Sequence, residues 1–115
     1  MSLLGAKGEN IASDYLRKKG YLIVHRNYKT PFGEMDIIAK DGGTIVFVEV
    51  KTRTSDSFGA PEEAVHAKKR EKIRKIALHY LSRAKVEAPS RFDVISIMLN
   101  DGRKEIEHIV DAFEV

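Results

Sequence analysis

Apolar residues at Leu4, Ile11, Ala12, Tyr15 and Leu16 recur at helical spacing, and Gly20 follows LRKK as a stop, predicting a first helix from about Leu3 to Lys19. YLIVHRNY (21–28) is rich in β-formers and reads as a strand. The turn TPFG leads into a second strand, EMDIIAK (34–40), and DGG (41–43) leads into a third, TIVFVEVK (44–51). Two strands flanking Asp-Gly-Gly form a strong hairpin signal. TRTSDSFGA then reads as a polar loop, closed by Pro61 at a helix N-terminus, with Glu62 and Glu63 where the helix dipole favours negative charge. Val65, Ile73, Ile76, Ala77, Tyr80 and Leu81 supply an apolar face, and Pro89 ends the segment; the stretch before Lys68 is either part of this helix or a short one of its own. RFDVISIML (91–99), the turn NDGR and KEIEHIV (104–110) give two last strands.

The predicted order is α-β-β-β-α-β-β in a single domain, residues 1–115. Strands 1 to 3 form an antiparallel meander, and a right-handed crossover through the second helix lays strand 4 parallel to strand 3. The fold class is α/β: a mixed central sheet of about five strands flanked by helices.

Composition narrows the function classes. Apolar residues are 43% and charged residues 32%, which argues against disorder. With no cysteine, disulfides and thiolate metal sites are excluded. The N-terminus has no long apolar stretch and no run approaches membrane-spanning length, so the expected setting is cytoplasmic, with no membrane partner. The net charge is +3, yet eight basic residues against one acid, Glu71, lie between His66 and Lys85. Lys68, Lys69, Lys72 and Lys75 fall off the apolar face there, a footprint for a polyanion or simply a solvated surface.

The third strand ends with charge set into an apolar run. Glu49 and Lys51 share a face by alternation. If Gly42 and Gly43 form a two-residue turn, Asp41 pairs with Thr44, Asp36 falls opposite Glu49, and Glu34 opposite Lys51; a slip of one residue would send Asp36 to the other face. Facing carboxylates, with Cβ atoms roughly 5 Å apart, repel unless a proton or cation lies between them. Hard oxygen ligands suit Mg²⁺ or Mn²⁺. Lys51 could then orient or deprotonate an attacking water, or stabilise charge developing on a phosphoryl group. The ordinary reading of a Glu-x-Lys triplet is an exposed ion pair. Thr52, Arg53 and Thr54 could meet phosphate or serve as loop residues. The four histidines lack metal-ligand spacing, no phosphate loop or nucleophile elbow occurs, and Tyr15, Phe47, Tyr80 and Phe92 fall on core periodicities.

Asp36 followed by Glu49-Val50-Lys51 resembles the PD-(D/E)xK nuclease superfamily, with Met35 where the proline of that name would stand. The segments GENIASDYLRKKGYLIVHRNY, GEMDIIAKDGGTIVFVEVKTR, FGAPEEAV, KKREKIRKIALHYL and RFDVISI resemble the YraN family of small bacterial proteins over nearly the whole chain. The order of elements and of Glu, Asp and Glu-x-Lys is also similar to archaeal Holliday junction resolvases. The resemblance implies a restriction-endonuclease-like fold, Asp36 and Glu49 as metal ligands, and Lys51 as the catalytic lysine. It implies Glu9 as a further acid toward the metal or its water; independently, Glu9 borders the apolar face set by Ala12 and Leu16. Glu34 matches the YraN pattern as a partner for Lys51, and Lys69 matches it as the leading phosphate contact, beside Lys68, Lys72 and Arg53.

The expected function is therefore nucleic-acid binding with Mg²⁺-dependent endonuclease activity, on DNA before RNA, branched or junction DNA included. The alternatives are a non-catalytic nucleic-acid-binding or adaptor module of the same fold, and a structural partner subunit. Cutting two strands would need two sites, so a weak homodimer is an expected assembly, with Phe58 in SDSFGAPEEAV as its contact.

Overall fold

A computed structural model describes residues 3–54 and 67–113. They form α1 (Leu3–Lys18), β1 (Leu22–Thr30), β2 (Gly33–Asp41), β3 (Thr44–Thr54), α2 (Ala67–Ala84), β4 (Ser90–Asn100) and β5 (Arg103–Ile109). The helix start expected at Pro61, the positions of Glu62, Glu63 and Val65, and the Phe58 contact lie outside the described residues.

Both helices stop where the backbone turns left-handed. Gly20 has φ +92° after α1, and the Tyr21 N–H returns to the Leu16 carbonyl at 3.0 Å. Lys85 takes the same role after α2, with φ 54° and the Val86 N–H donating to the Leu81 carbonyl at 3.1 Å. These bonds satisfy carbonyls that a helix end leaves open. The β4–β5 turn has positive φ at both Asp101 (44°) and Gly102 (78°), as a two-residue hairpin turn with right-handed twist requires.

The five strands lie in the order β1-β2-β3-β4-β5. All neighbouring pairs are antiparallel except β3–β4, which is parallel, so the expected meander and crossover are present. The β2–β3 hairpin pairs Asp41 with Thr44 and keeps that register to Ile37↔Val48. One expectation is corrected. Thr52, Arg53 and Thr54, read as loop, continue β3 because they pair with Ile97, Met98 and Leu99 of β4. Only the parallel neighbour makes that extension visible.

α1 covers one face of the sheet and α2 the other. Ala12 and Leu16 pack with Ile37, Ala39, Val46, Val48, Ile95 and Ile97. Ile73, Ile76, Ala77 and Tyr80 pack with Ile38, Ile45, Phe47, Phe92 and Val94. Ile45 to Val48 are all buried, which explains the unbroken apolar run: a central strand covered on both faces has no polar side to present. At Gly8, α1 lies close against β3, since a Cβ there would overlap the Thr52 hydroxyl.

Candidate functional site

Strand alternation fails in β2 near Asp36, and the charged residues gather there. Ile37 and Ala39 belong to the α1-side core and Ile38 to the α2-side core, yet Met35, two residues before Ile37, belongs to the α2 side. The β1–β2 ladder joins Arg26 to Ile37 and Tyr28 to Met35 but skips Asn27 and Asp36. Asn27 has φ 52°, a left-handed conformation that asparagine tolerates better than most residues. The β2–β3 ladder ends just short of Asp36, and Asp36 Oδ2 accepts the Val50 N–H at 2.7 Å. A carboxylate thus takes the place of a ladder carbonyl. The expected ladder pairing of Asp36 with Glu49 is not made, yet at the mouth where β2 and β3 part the two carboxylates lie near enough for the charge of Glu49 to act on Asp36.

The electrostatics of this mouth are those of acids crowded by burial. Burial, then the charge of Glu49, push the Asp36 carboxyl up to about 7, against the Val50 N–H, with Glu9 adding and Lys69 opposing. Glu9 is buried on α1, and its carboxyl is also raised, chiefly by burial, with a hydrogen bond from Asn27 and the Arg26 charge opposing and Glu34 and Glu49 adding. Its Oε1 is buried with no hydrogen-bond partner among the described residues. An orphaned carboxylate oxygen in a protein interior is costly and marks a place where a proton, water or cation is wanted.

On the α2 side, Lys69 Nζ sits 3.0 Å from Glu49 Oε1, a half-buried pair. Glu34, Glu49, Lys68, Lys69 and Lys72 line a groove of about 520 Å³ floored by Ile73 and Ile76. Lys69 is therefore the neighbour of Glu49 rather than a cation facing only solvent. Lys51 is exposed and forms no ion pair with a described residue, so the expected Glu34–Lys51 partnership is not made; the strands diverge before those positions could face each other. Arg53 is 8% exposed and lies within β3.

These residues fit a divalent cation in donor chemistry. Asp36 and Glu49 supply hard oxygens, Glu9 an unpaired one, and the Lys69 ammonium already stands where positive charge is stabilising. Among the described residues, no three His, Cys, Asp or Glu side chains stand close enough together to cage a metal by themselves.

A second polar cluster has no counterpart in the sequence reading. Asp93, 1% exposed, accepts from His108 Nε2 at 2.7 Å, from Arg91 Nε at 3.0 Å and from the Asp111 N–H at 3.0 Å. Arg91 also reaches the Tyr21 hydroxyl at 2.6 Å and Asp41 at 3.1 Å. Burial by itself would raise Asp93, but His108, the Asp111 amide and Arg91 outweigh it and hold the carboxyl below its ordinary value. The signal is present as Arg-x-Asp on one face of strand 4, but its partners come from Tyr21 just before β1, from β2, from β5 and from Asp111 after it. Its Asp93 centre is fully buried and every oxygen there is satisfied within the chain, so this is a clasp joining the strands.

The family comparison covers most of this architecture. The model of the uncharacterised protein family UPF0102 matches residues 8–97, which contain Glu9, Asp36, Glu49, Lys51 and Lys69. The chain belongs to the UPF0102 family. It is 57% identical over 110 residues to a UPF0102 protein of Thermodesulfovibrio yellowstonii, covering 96% of this chain and 95% of that protein. It is 49% identical over 111 residues to one from Syntrophomonas wolfei (96% of each chain), and 50% identical over 113 to one from Geobacter metallireducens (97% and 93%). Among the described residues of this UPF0102 chain, no helix is long and apolar enough to cross a membrane.

Proposed function

We propose that this UPF0102 protein is a Mg²⁺- or Mn²⁺-dependent endonuclease that hydrolyses phosphodiester bonds of DNA, related to the PD-(D/E)xK nucleases. The observation that carries the reading is the Asp36 carboxylate, placed under the Val50 N–H at 2.7 Å beside Glu49 and pushed up to about 7. Two acids held near each other at a cost in stability are a place where a cation would offset that cost.

In this reading Asp36 and Glu49 would hold the cation, with Glu9 toward its water, and the cation would supply polarisation of the phosphate and a more acidic water. Lys51, free of ion pairs with described residues, is available to orient that water or to take its proton. Lys68 and Lys72, both exposed beside Glu49, position the phosphates on either side. Lys69, 3.0 Å from Glu49 in the same groove, would contact phosphate there.

A second reading, a DNA-binding module without turnover, is favoured by the same ion pair: Lys69 neutralises Glu49 with no metal required. Cleavage of duplex, single-stranded and branched DNA and of RNA, with Mg²⁺ or Mn²⁺ and with EDTA, separates the two. Metal-dependent products absent from Asp36→Asn and Lys51→Ala proteins support the nuclease; salt-dependent binding without any products supports the module.

A further inference from the structure

The turn joining β1 to β2 carries a half-exposed aromatic ring outside both core clusters. Phe32 is 46% exposed at the tip of this hairpin. The tip is stiff: the Phe32 N–H donates to Thr30 Oγ1 at 3.0 Å, and that hydroxyl donates to the Gly33 carbonyl at 2.9 Å. It is also fixed to α2. A side chain at Gly33 would overlap the stem of Lys72 and crowd Ile76, and Gly33 has φ +141°, so only glycine allows this approach.

Rings extend from the core to this tip. Buried Tyr80 meets Tyr28 edge-on at 5.4 Å, Tyr28 lies 6.4 Å from His79, and His79 meets Phe32 edge-on at 6.1 Å. Phe32 is thus braced from beneath, with its exposed part toward solvent. Lys72 connects it to the candidate site, because the same side chain that lies over Gly33 also lines the groove containing Glu49, Lys68 and Lys69.

From this juxtaposition of a rigid exposed ring and a lysine-lined groove we infer that Phe32, braced by His79, stacks an unpaired nucleobase of DNA whose adjoining phosphates lie along Lys68, Lys69 and Lys72. The inference rests on the nucleic-acid reading above and adds the substrate class: DNA with unpaired bases, as in flaps, gaps or branch points. A base inside a duplex already stacks on both faces, so a protein ring gains nothing there without unstacking it. An unpaired base offers a free face, and a lysine row holds the backbone while the ring takes the base. One braced ring is far too small for a stable protein interface, which needs on the order of 1,000 Å². The flanking positive charge selects a polyanion.

The test is equilibrium binding in EDTA, by anisotropy, of a paired duplex and of the same duplex with a short single-stranded flap carrying 2-aminopurine. The wild type should prefer the flap by about tenfold, a stacking contribution of ordinary size. Phe32→Ala should remove that preference and the associated quenching of 2-aminopurine, while duplex affinity, salt slope and melting temperature stay unchanged. Phe32→Trp should retain both. Equal wild-type affinity for flap and duplex, or equal weakening of both by Phe32→Ala, overturns the stacking role while leaving DNA binding intact. Absence of salt-dependent binding to either DNA refutes the nucleic-acid reading and this inference with it. Concentration-dependent self-association abolished by Phe32→Ala would overturn the stacking role by assigning the ring to an interface between copies.

Discussion

Replacing Asp36 with asparagine should stabilise the metal-free protein at neutral and alkaline pH, although it deletes a residue of the candidate site. The side chains are nearly isosteric, and the asparagine carbonyl oxygen can still accept the Val50 N–H that Asp36 Oδ2 accepts at 2.7 Å. What changes is charge. Burial and Glu49 raise the carboxyl from the usual 3.8 to about 7 in the folded chain. Below about pH 4 it is protonated in both the folded and the unfolded chain and costs nothing. Between about 4 and 7 the folded chain holds a proton that the unfolded chain has shed, so wild-type stability falls as pH rises. Above about 7 the full cost stands, at most roughly 4 kcal/mol from about 1.4 kcal/mol per unit. The variant has no such group. Its advantage should therefore be near zero at pH 4, grow through the window, and level off above 7. Urea unfolding of both proteins in EDTA at several pH values measures this, and the difference cancels most other titrating groups. Millimolar Mg²⁺ should erase the advantage by stabilising only the wild type. A variant that is less stable at pH 8, or a difference that does not change with pH, would refute the crowded-carboxylate geometry.

Lys69→Met should leave Glu49 without its 3.0 Å partner, lowering apo stability while enlarging the Mg²⁺-induced rise in melting temperature; an unchanged rise would mean Lys69 and metal do not compete. Lys68→Ala/Lys69→Ala should flatten the slope of log affinity against log salt by about 0.9 for each phosphate left without its lysine, read from binding between low and moderate salt. Asp93→Ala leaves Arg91 and His108 facing each other without their shared acceptor and should cost about 3–5 kcal/mol in urea unfolding. Because the Asp93 carboxyl is depressed, its contribution is present above about pH 4 and disappears as pH falls through the folded value, so the variant should lose less stability on acidification than the wild type. Gly8→Ala should cost about 1–3 kcal/mol, since its methyl would overlap the Thr52 hydroxyl, and Thr52→Gly in the same chain should recover part of it.

Local pattern determined most of the architecture. The spacing of Ala12 and Leu16, and of Ile73, Ile76 and Tyr80, marks the two helices because a helix repeats its face every 3.6 residues wherever it occurs. Asp-Gly-Gly fixed the β2–β3 register from Asp41↔Thr44 to Ile37↔Val48, because a two-residue turn leaves one pairing; the ladder stops before Asp36 and Glu49 could pair. Other features depended on neighbours distant in sequence. Thr52 to Thr54 became strand only because β4 lies beside them, and Asp93 could be recognised as a buried clasp only with His108 and Asp111 delivered by the last hairpin. The break in alternation at Asp36 arises where β1, β2 and β3 meet, with left-handed Asn27 on the facing strand. Burial of Glu9 and the seating of Lys69 on Glu49 follow from how α1 and α2 dock on opposite faces. Periodicity records which side of an element is apolar; desolvation and charge pairing depend on what packs against it, and that is settled only when the layers close.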